Sequence, residues 1–287
     1  MEWMNETNLE NNPEVLNDTE RRAAAERLAA HARQARKNII DMVAAAGSGH
    51  PGGSLSCTDF LTWIYDVEID FDDPNRDRLV LSKGHAAPAL YAQLALHQRI
   101  SRKEMLSLRK LGSPLQGHPN MEDLPDVDMS TGSLGQGLSA AVGMAWADRY
   151  LQKERRTWAV CGDGEFEEGQ IWEALMCAAN YHLNNLVLFL DENGLQIEGS
   201  VPDICGTSTY AGRLQAFGWN VLEIDGHSFS EIEEAATKAK TALEPTAIVC
   251  HTRKGKGVSF MENEAGWHGK APDAIQRAQA LMELEGE

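Results

Sequence analysis

Asp163 stands between two glycines in Cys161-Gly162-Asp163-Gly164, and Asn193 precedes a third in Asp191-Glu192-Asn193-Gly194-Leu195. A carboxylate, an amide oxygen and a nearby backbone carbonyl are hard donors of the kind Mg²⁺ or Ca²⁺ takes together with phosphate oxygens. Glycines beside the Asp let backbone approach a bulky anion. His50, His85, His118 and His268 each sit in a loop bearing Gly or Pro. Imidazoles near neutral pKa suit proton transfer to and from hydroxyls and carbonyls. His31, His97, His182, His227 and His251 lack that setting and read as structural. Arg253-Lys254-Gly255-Lys256-Gly257 is a dense basic run suited to clamping phosphate. Glu165, Glu167 and Glu168 crowd the turn after Asp163, more acids than capping of a helix N-terminus needs. The chemistry in view is a metal-bridged diphosphate with proton-transfer groups around it.

These residues need elements to deliver them. Two apolar runs, 157–161 and 186–190, read as buried parallel strands, and the text between them as a helix. Asp163 and Asn193 then fall at strand carboxyl ends, the edge of an open α/β sheet where ligands bind. Further strands are predicted at 78–81, 219–224 and 246–251. Helices are predicted near 20–46, 56–65, 86–97, 102–110, 137–151, 207–217, from Ser228 with Glu231 at the capping-box position, and from Pro272 onward. Strands alternate with helices. The fold class is therefore α/β: a mostly parallel sheet with helices on both faces. Residues 1–19 read as an acidic, mobile leader and 20–287 as one domain.

Bulk properties narrow the functions. With 287 residues and 43% hydrophobic content, the chain can build a sizeable core. A net charge of −17 argues against nonspecific nucleic-acid binding. An anionic substrate must then be met by local positive groups or by a partner. No apolar run is long enough to span a membrane, and no secretion signal is visible. Five scattered cysteines without a CxxC pair point to reduced thiols and a cytoplasmic setting.

Ser48-Gly49-His50-Pro51, Ser82-Lys83-Gly84-His85, Gly117-His118-Pro119, Thr131-Gly132-Ser133-Leu134-Gly135-Gln136-Gly137, Gly164-x-x-x-Glu168-Gly169 and Lys254-Gly255-Lys256-Gly257 with Trp267-His268-Gly269 occur in that order. Together with the Asp163 and Asn193 pair they resemble the thiamine-diphosphate enzymes, and among them the transketolases, over nearly everything from residue 20 onward. The resemblance implies the thiamine-diphosphate-binding fold of the diphosphate domain. It implies that Asp163, Asn193 and the Leu195 carbonyl hold Mg²⁺ or Ca²⁺ against the diphosphate, which Gly164, His85 and Lys254 contact. Gly132 and Leu134 would touch the cofactor near its rings. His50, His118 and His268 would line the substrate channel, with His268 also near the cofactor. Glu168 would sit at a subunit interface, in the carboxylate network that reaches the activating glutamate.

Transketolases carry three domains, and the text matches the first. The resemblance therefore implies the N-terminal subunit of a split transketolase. A partner subunit would carry the pyrimidine-binding and C-terminal domains, in an α₂β₂ assembly that acts on sugar phosphates of the pentose phosphate pathway. Gly53 departs from family members that place a substrate-contacting Ser there. A deoxyxylulose-phosphate synthase, a 2-oxo acid dehydrogenase subunit and a non-catalytic cofactor-binding scaffold share the cofactor motif. Glu168 and the Trp-His-Gly loop favour transketolase over the first two, and the intact histidine set speaks against the third.

Overall fold

The computed structural model describes residues 18–197, 199–205 and 209–286. The strands are β1 Arg78–Leu81, β2 Thr157–Gly162, β3 Leu186–Glu192, β4 Leu195–Gln196, β5 Gly199–Ser200, β6 Asn220–Asp225 and β7 Thr246–His251. The helices are α1 Asp18–Ala46, α2 Pro51–Ser56, α3 Thr58–Trp63, α4 Ala87–Leu96, α5 Arg102–Met105, α6 Gln136–Tyr150, α7 Gly169–Asn180, α8 Val201–Ile204, α9 Tyr210–Ala216, α10 Phe229–Thr241 and α11 Ala274–Gly286.

Five strands form one parallel sheet in the order β1-β2-β3-β7-β6, and β4 and β5 pair as a short antiparallel ribbon. All five parallel strands point their carboxyl ends to one edge, so the loops after Leu81, Gly162, Glu192, Asp225 and His251 meet there. The order reverses beyond β3, because β7 and not β6 lies beside it. That reversal opens the crevice an α/β sheet uses for ligands.

Alternation along the strands builds two cores. Trp158, Val160, Val187, Phe189 and Ile248 pack with residues of α1, α3, α4, α10 and α11. Ala159, Cys161, Leu188, Leu190, Ala247 and Val249 pack with residues of α6, α7 and α9. The first face carries the large rings: Phe60 stacks on Phe189 at 5.3 Å and Trp63 meets Trp158 edge-on at 5.8 Å. Each such side chain, buried, is worth about 1.5–3 kcal/mol of transfer free energy. The second face is lined by smaller side chains on β2 and β7, and α6 sits close against it, with α7 packed on α6.

The strand and layer expectations are met, and three helices differ. The helix predicted at 56–65 is interrupted at Cys57, whose ψ is near 2°. Ser54, Ser56 and Cys57 turn their side chains back on backbone carbonyls, Ser54 onto His50 at 2.6 Å and Cys57 onto Gly53 at 3.2 Å, which competes with a continuous helix. A π-helical turn, Ile64–Glu68, then closes α3. The helix predicted at 102–110 ends at Met105. Ser107 there bonds Glu104 O at 2.6 Å and Ser113 Oγ at 2.7 Å, folding the chain into a turn that ends with Arg109 at positive φ. The helix predicted over 207–217 is described from Tyr210, and residues 207–208 lie outside the described residues. The capping box at Ser228 is half made: its hydroxyl accepts from Glu231 N, but the Glu231 carboxylate turns to Asp225 N at 2.9 Å. Of the leader anticipated over 1–19, residues 1–17 lie outside the described residues, while Asp18 and Thr19 belong to the first turn of α1. Among the described residues no helix is long and apolar enough to cross a membrane.

Candidate active site

Asp163 leaves β2 buried, at 2% exposure, and takes two backbone donors. Oδ1 accepts from Gly164 N at 2.8 Å and Oδ2 from Gly194 N at 2.6 Å. The second bond ties the β2 loop to the β3 loop. Burial, then the charge of nearby Asp191, raise the carboxyl to about 7 despite those two donors. Asn193 donates to Asp191 at 3.1 Å, and its Oδ1 accepts from Leu195 N at 3.2 Å. The Leu195 carbonyl accepts from Lys254 Nζ at 3.1 Å. Three oxygen sources and one ammonium thus converge from the ends of β2, β3 and β7.

Lys254 is buried, and its amine also lies 3.1 Å from His268 Nδ1. Burial, then repulsion from Lys83, lower it to about 8. His50, His85 and His268 surround this point, with ring centroids 5.1 to 5.3 Å apart. All three are held neutral. Burial and then Arg109 bring His50 down to about 4. Burial and then Lys254 bring His268 to about 3. Burial and then Lys83 put His85 well below the usual imidazole range. The buried Nδ1 of His50 has no hydrogen-bond partner among the described residues.

Sequence reasoning left one node of this edge unassigned. Lys83, after β1, and Asp191, in β3, form a fully buried ion pair across the β2 strand, and Lys83 also donates to Gly53 O at 2.9 Å. Asp191 takes further donors from Ser56 at 2.6 Å and Thr252 at 2.5 Å. Burial alone would raise this carboxyl; Lys83 and the hydroxyls outweigh it and hold it low. The available signal was a Lys and an Asp each at the end of an apolar strand, where neither would be buried without a partner.

Glu165 was a second omission. The sequence counts it among acids in excess of capping and gives it no role of its own, whereas its carboxylate is buried and joins three loops: it accepts from Ser82 Oγ at 2.5 Å, Gly135 N at 2.9 Å and Gly162 N at 3.1 Å. The same packing requires glycine at 84, where an added Cβ would lie 2.7 Å from Gly132 N. Gly132 itself has φ +146° and rests against His118, which a Cβ would meet at 3.0 Å.

Of the predicted site residues, His85, Leu134, Asp163, Gly164, Asn193, Leu195, Lys254 and His268 line one narrow cavity of about 90 Å³, together with Lys83 and Glu165. His50 adjoins it through its ring contacts with His85 and His268. His118 is exposed and lines a wider, open depression of about 690 Å³ with Ser48 and Arg109. Gly132 lies between the two, against Gly84 and His118. Glu168 stands apart. It is exposed at the start of α7, its side chain capping nothing.

The donor set fits a hard cation and a diphosphate. Asp163 is a buried carboxylate whose pKa is raised by burial and then by Asp191, and the Leu195 carbonyl already attracts a cation in Lys254. No group of three or more His, Cys, Asp or Glu side chains among the described residues could hold a metal unaided. A cation at Asp163 would therefore draw on amide and carbonyl oxygens such as those of Asn193 and Leu195, with water or anion oxygens filling its shell.

Comparison with known proteins agrees with this geometry. Residues 28–284 match the family described as transketolase, thiamine diphosphate binding domain. The chain is 41% identical over 255 residues to one subunit of the apulose-4-phosphate transketolase of Phocaeicola vulgatus, covering 87% of this chain and 90% of that one. It is 42% identical over 259 residues to the 6-deoxy-6-sulfo-D-fructose transketolase subunit SqwG of Clostridium sp. (strain MSTE9), covering 88% and 94%. Human transketolase is 40% identical over 259 residues, but the chain spans only 41% of its length. The solved structure of transketolase from Campylobacter jejuni superposes with a TM-score of 0.86 at 34% identity, covering 91% of this chain and 43% of that one. By sequence, fold and the residues gathered at its sheet edge, the chain belongs to the transketolase family, of which it carries the thiamine-diphosphate-binding domain.

Proposed function

We propose that the chain is the diphosphate-gripping subunit of a two-subunit transketolase. It moves a two-carbon ketol unit from a ketose phosphate to an aldose, with thiamine diphosphate and Mg²⁺ (or Ca²⁺) bound. The observation that carries this is the convergence of Asp163, Asn193, the Leu195 carbonyl and Lys254 beside three neutral imidazoles. Two relatives of matching length are named as subunits, whereas the chain spans 41% of full-length human transketolase. This supports a partner that supplies the pyrimidine-binding and C-terminal domains.

When bound, thiamine diphosphate supplies the carbanion nucleophile and the electron sink. The chain's own residues grip the diphosphate end and handle protons beside it. Asp163, Asn193 and the Leu195 carbonyl hold the cation, and Lys254 and Gly164 meet the diphosphate charge. Leu134 and Gly132 shape the cavity wall against the rings. His50, His85 and His268, kept uncharged by their surroundings, exchange hydrogen bonds and protons with substrate hydroxyls and the carbonyl-derived oxygen without repelling the neighbouring ammoniums. His118 serves the same substrate from the open side. The two subunit relatives are named for sugars bearing a phosphate and a sulfo group, which supports a ketose with an anionic far end.

Glu168 is exposed at the start of α7. At the opposite ends of α6 and α7, Trp146, Tyr150 and Tyr181 form an exposed aromatic strip with centroids 5.6 and 6.2 Å apart. An acid and a ring cluster on one helical layer suit a protein interface, and we assign this face to the partner in a cytoplasmic α₂β₂ assembly.

The test is reconstitution. The chain mixed with a polypeptide matching the remainder of full-length transketolases should transfer ketol units, and the chain alone should not. Asp163→Asn should lower Mg²⁺-dependent thiamine diphosphate affinity of the mixture by roughly 10–100-fold in calorimetry. Turnover by the chain alone, or unchanged affinity in the variant, refutes the reading.

A further inference from the structure

His227 follows β6, away from the cavity, and its sequence setting marks it as structural. Its ring is nonetheless fixed at both nitrogens. Nδ1 lies 2.7 Å from Oδ2 of Asp59, and Nε2 accepts the backbone N–H of Arg253 at 2.9 Å. Asp59, on α3, is buried and gripped at both oxygens by Arg36 of α1, at 2.9 and 2.6 Å. A nitrogen that accepts an N–H carries no proton, and one that faces a carboxylate donates. The surroundings thus select the tautomer with its proton on Nδ1.

The accepted N–H belongs to the residue before Lys254. Thr252 to Gly255 is pinned at each residue: Thr252 N to Glu192 O at 3.0 Å, Arg253 N to His227, Lys254 O from Asn263 N at 2.9 Å, and Gly255 N to Gly52 O at 3.0 Å. Of these pins only His227 is a side chain, and only it reaches in from β6. Gly226 makes the approach possible, since a Cβ there would lie 2.5 Å from Thr252 Cγ2.

We propose that His227, oriented by Asp59 and Arg36, is a positioning residue for the diphosphate grip. It holds the Thr252–Arg253 peptide so that Lys254, one residue on, reaches the cavity 3.1 Å from the Leu195 carbonyl. This rests on the reading that Lys254 meets the diphosphate. Carboxylate, imidazole and backbone amide form one line of hydrogen bonds, which transfers the rigidity of the buried α1–α3 pair to a loop at the sheet edge.

Two variants separate this from a merely structural histidine. In His227→Asn the amide occupies the place of Nδ1, keeps Asp59 and falls short of Arg253. In His227→Gln the longer side chain reaches the place of Nε2 and offers an oxygen to Arg253 N–H. Hydrogen exchange by mass spectrometry on the full chain should show the 252–257 amides exchanging faster in His227→Asn and near the wild-type rate in His227→Gln. Affinity for inorganic pyrophosphate with Mg²⁺ should fall about tenfold in the Asn variant and recover in the Gln variant. Nitrogen-15 NMR of the wild-type ring should show Nδ1 protonated and Nε2 bare, a measurement that needs neither variant to fold.

Wild-type exchange and affinity in His227→Asn, equal damage in both variants, or a proton on Nε2 would each overturn the proposal. A loosened loop with unchanged pyrophosphate affinity would overturn the positioning role. Failure of the wild-type chain to bind pyrophosphate would sink the diphosphate reading instead, leaving exchange and NMR to decide whether the pin exists.

Discussion

Lys83 and Lys254 stand at the same sheet edge, each with 1% of its surface exposed, and they have opposite electrostatic lives. Lys83 has a buried carboxylate, Asp191, and a carbonyl, and its pKa is raised: burial opposes its charge, and Asp191 overcomes that. Lys254 has a carbonyl and an imidazole but no carboxylate in contact among the described residues, and burial with Lys83 lowers it to about 8. The first node is complete within the chain. The second is short of negative charge, which is what the proposed diphosphate would supply. A buried cation whose charge is already matched holds a fold together, whereas one left unmatched awaits a ligand.

The largest way to break that contrast is Lys83→Met. It leaves Asp191 buried without its counter-charge, and urea unfolding should show a loss of about 3–5 kcal/mol. Removing both partners, as Lys83→Met with Asp191→Leu, should cost less than Lys83→Met alone, because no orphan charge remains. Lys254→Met should behave in the opposite way. Its stability should change by less than about 1 kcal/mol, while calorimetric affinity of the assembled enzyme for thiamine diphosphate should fall by about 1.5–3 kcal/mol. Equal stability losses at 83 and 254 would erase the distinction.

A further test of the contrast lies in pH. His50 and His268 sit below 6.5, at about 4 and about 3, so on acidification the unfolded chain takes up protons that the fold refuses. Their contribution to stability is therefore complete above about 6.5 and is lost as pH falls from there toward 4 and then 3. Thermal melts of the cofactor-free chain between pH 7 and 4 should show Tm dropping, with a shallower slope in His50→Gln and His268→Gln. A Tm independent of pH, or one that rises on acidification, would contradict the neutral-imidazole account.

Much of this was legible in the text of the chain. Apolar runs ending in Gly-Asp-Gly and in Asp-Glu-Asn-Gly mark strands whose carboxyl ends carry function, because strand burial and turn chemistry are both local. What stayed hidden is what the strand order decides. Lys83 and Asp191 are 108 residues apart, and their meeting depends on β1, β2 and β3 lying side by side. His227 reaches Arg253 because β6 pairs with β7, a neighbour that no periodicity announces. The interruption at Cys57 escaped for a different reason. It arises from hydroxyls and a thiol that compete for backbone carbonyls, and this leaves the hydrophobic pattern untouched.

Glu165 has a consequence for how such a chain can change over generations. One carboxylate receives Ser82, Gly135 and Gly162, so the loops after β1, before α6 and after β2 share a single fastening. Loss of the acid orphans three donors at once, and a compensating change in any single loop cannot answer all three. A substitution at 165 should therefore loosen all three loops together.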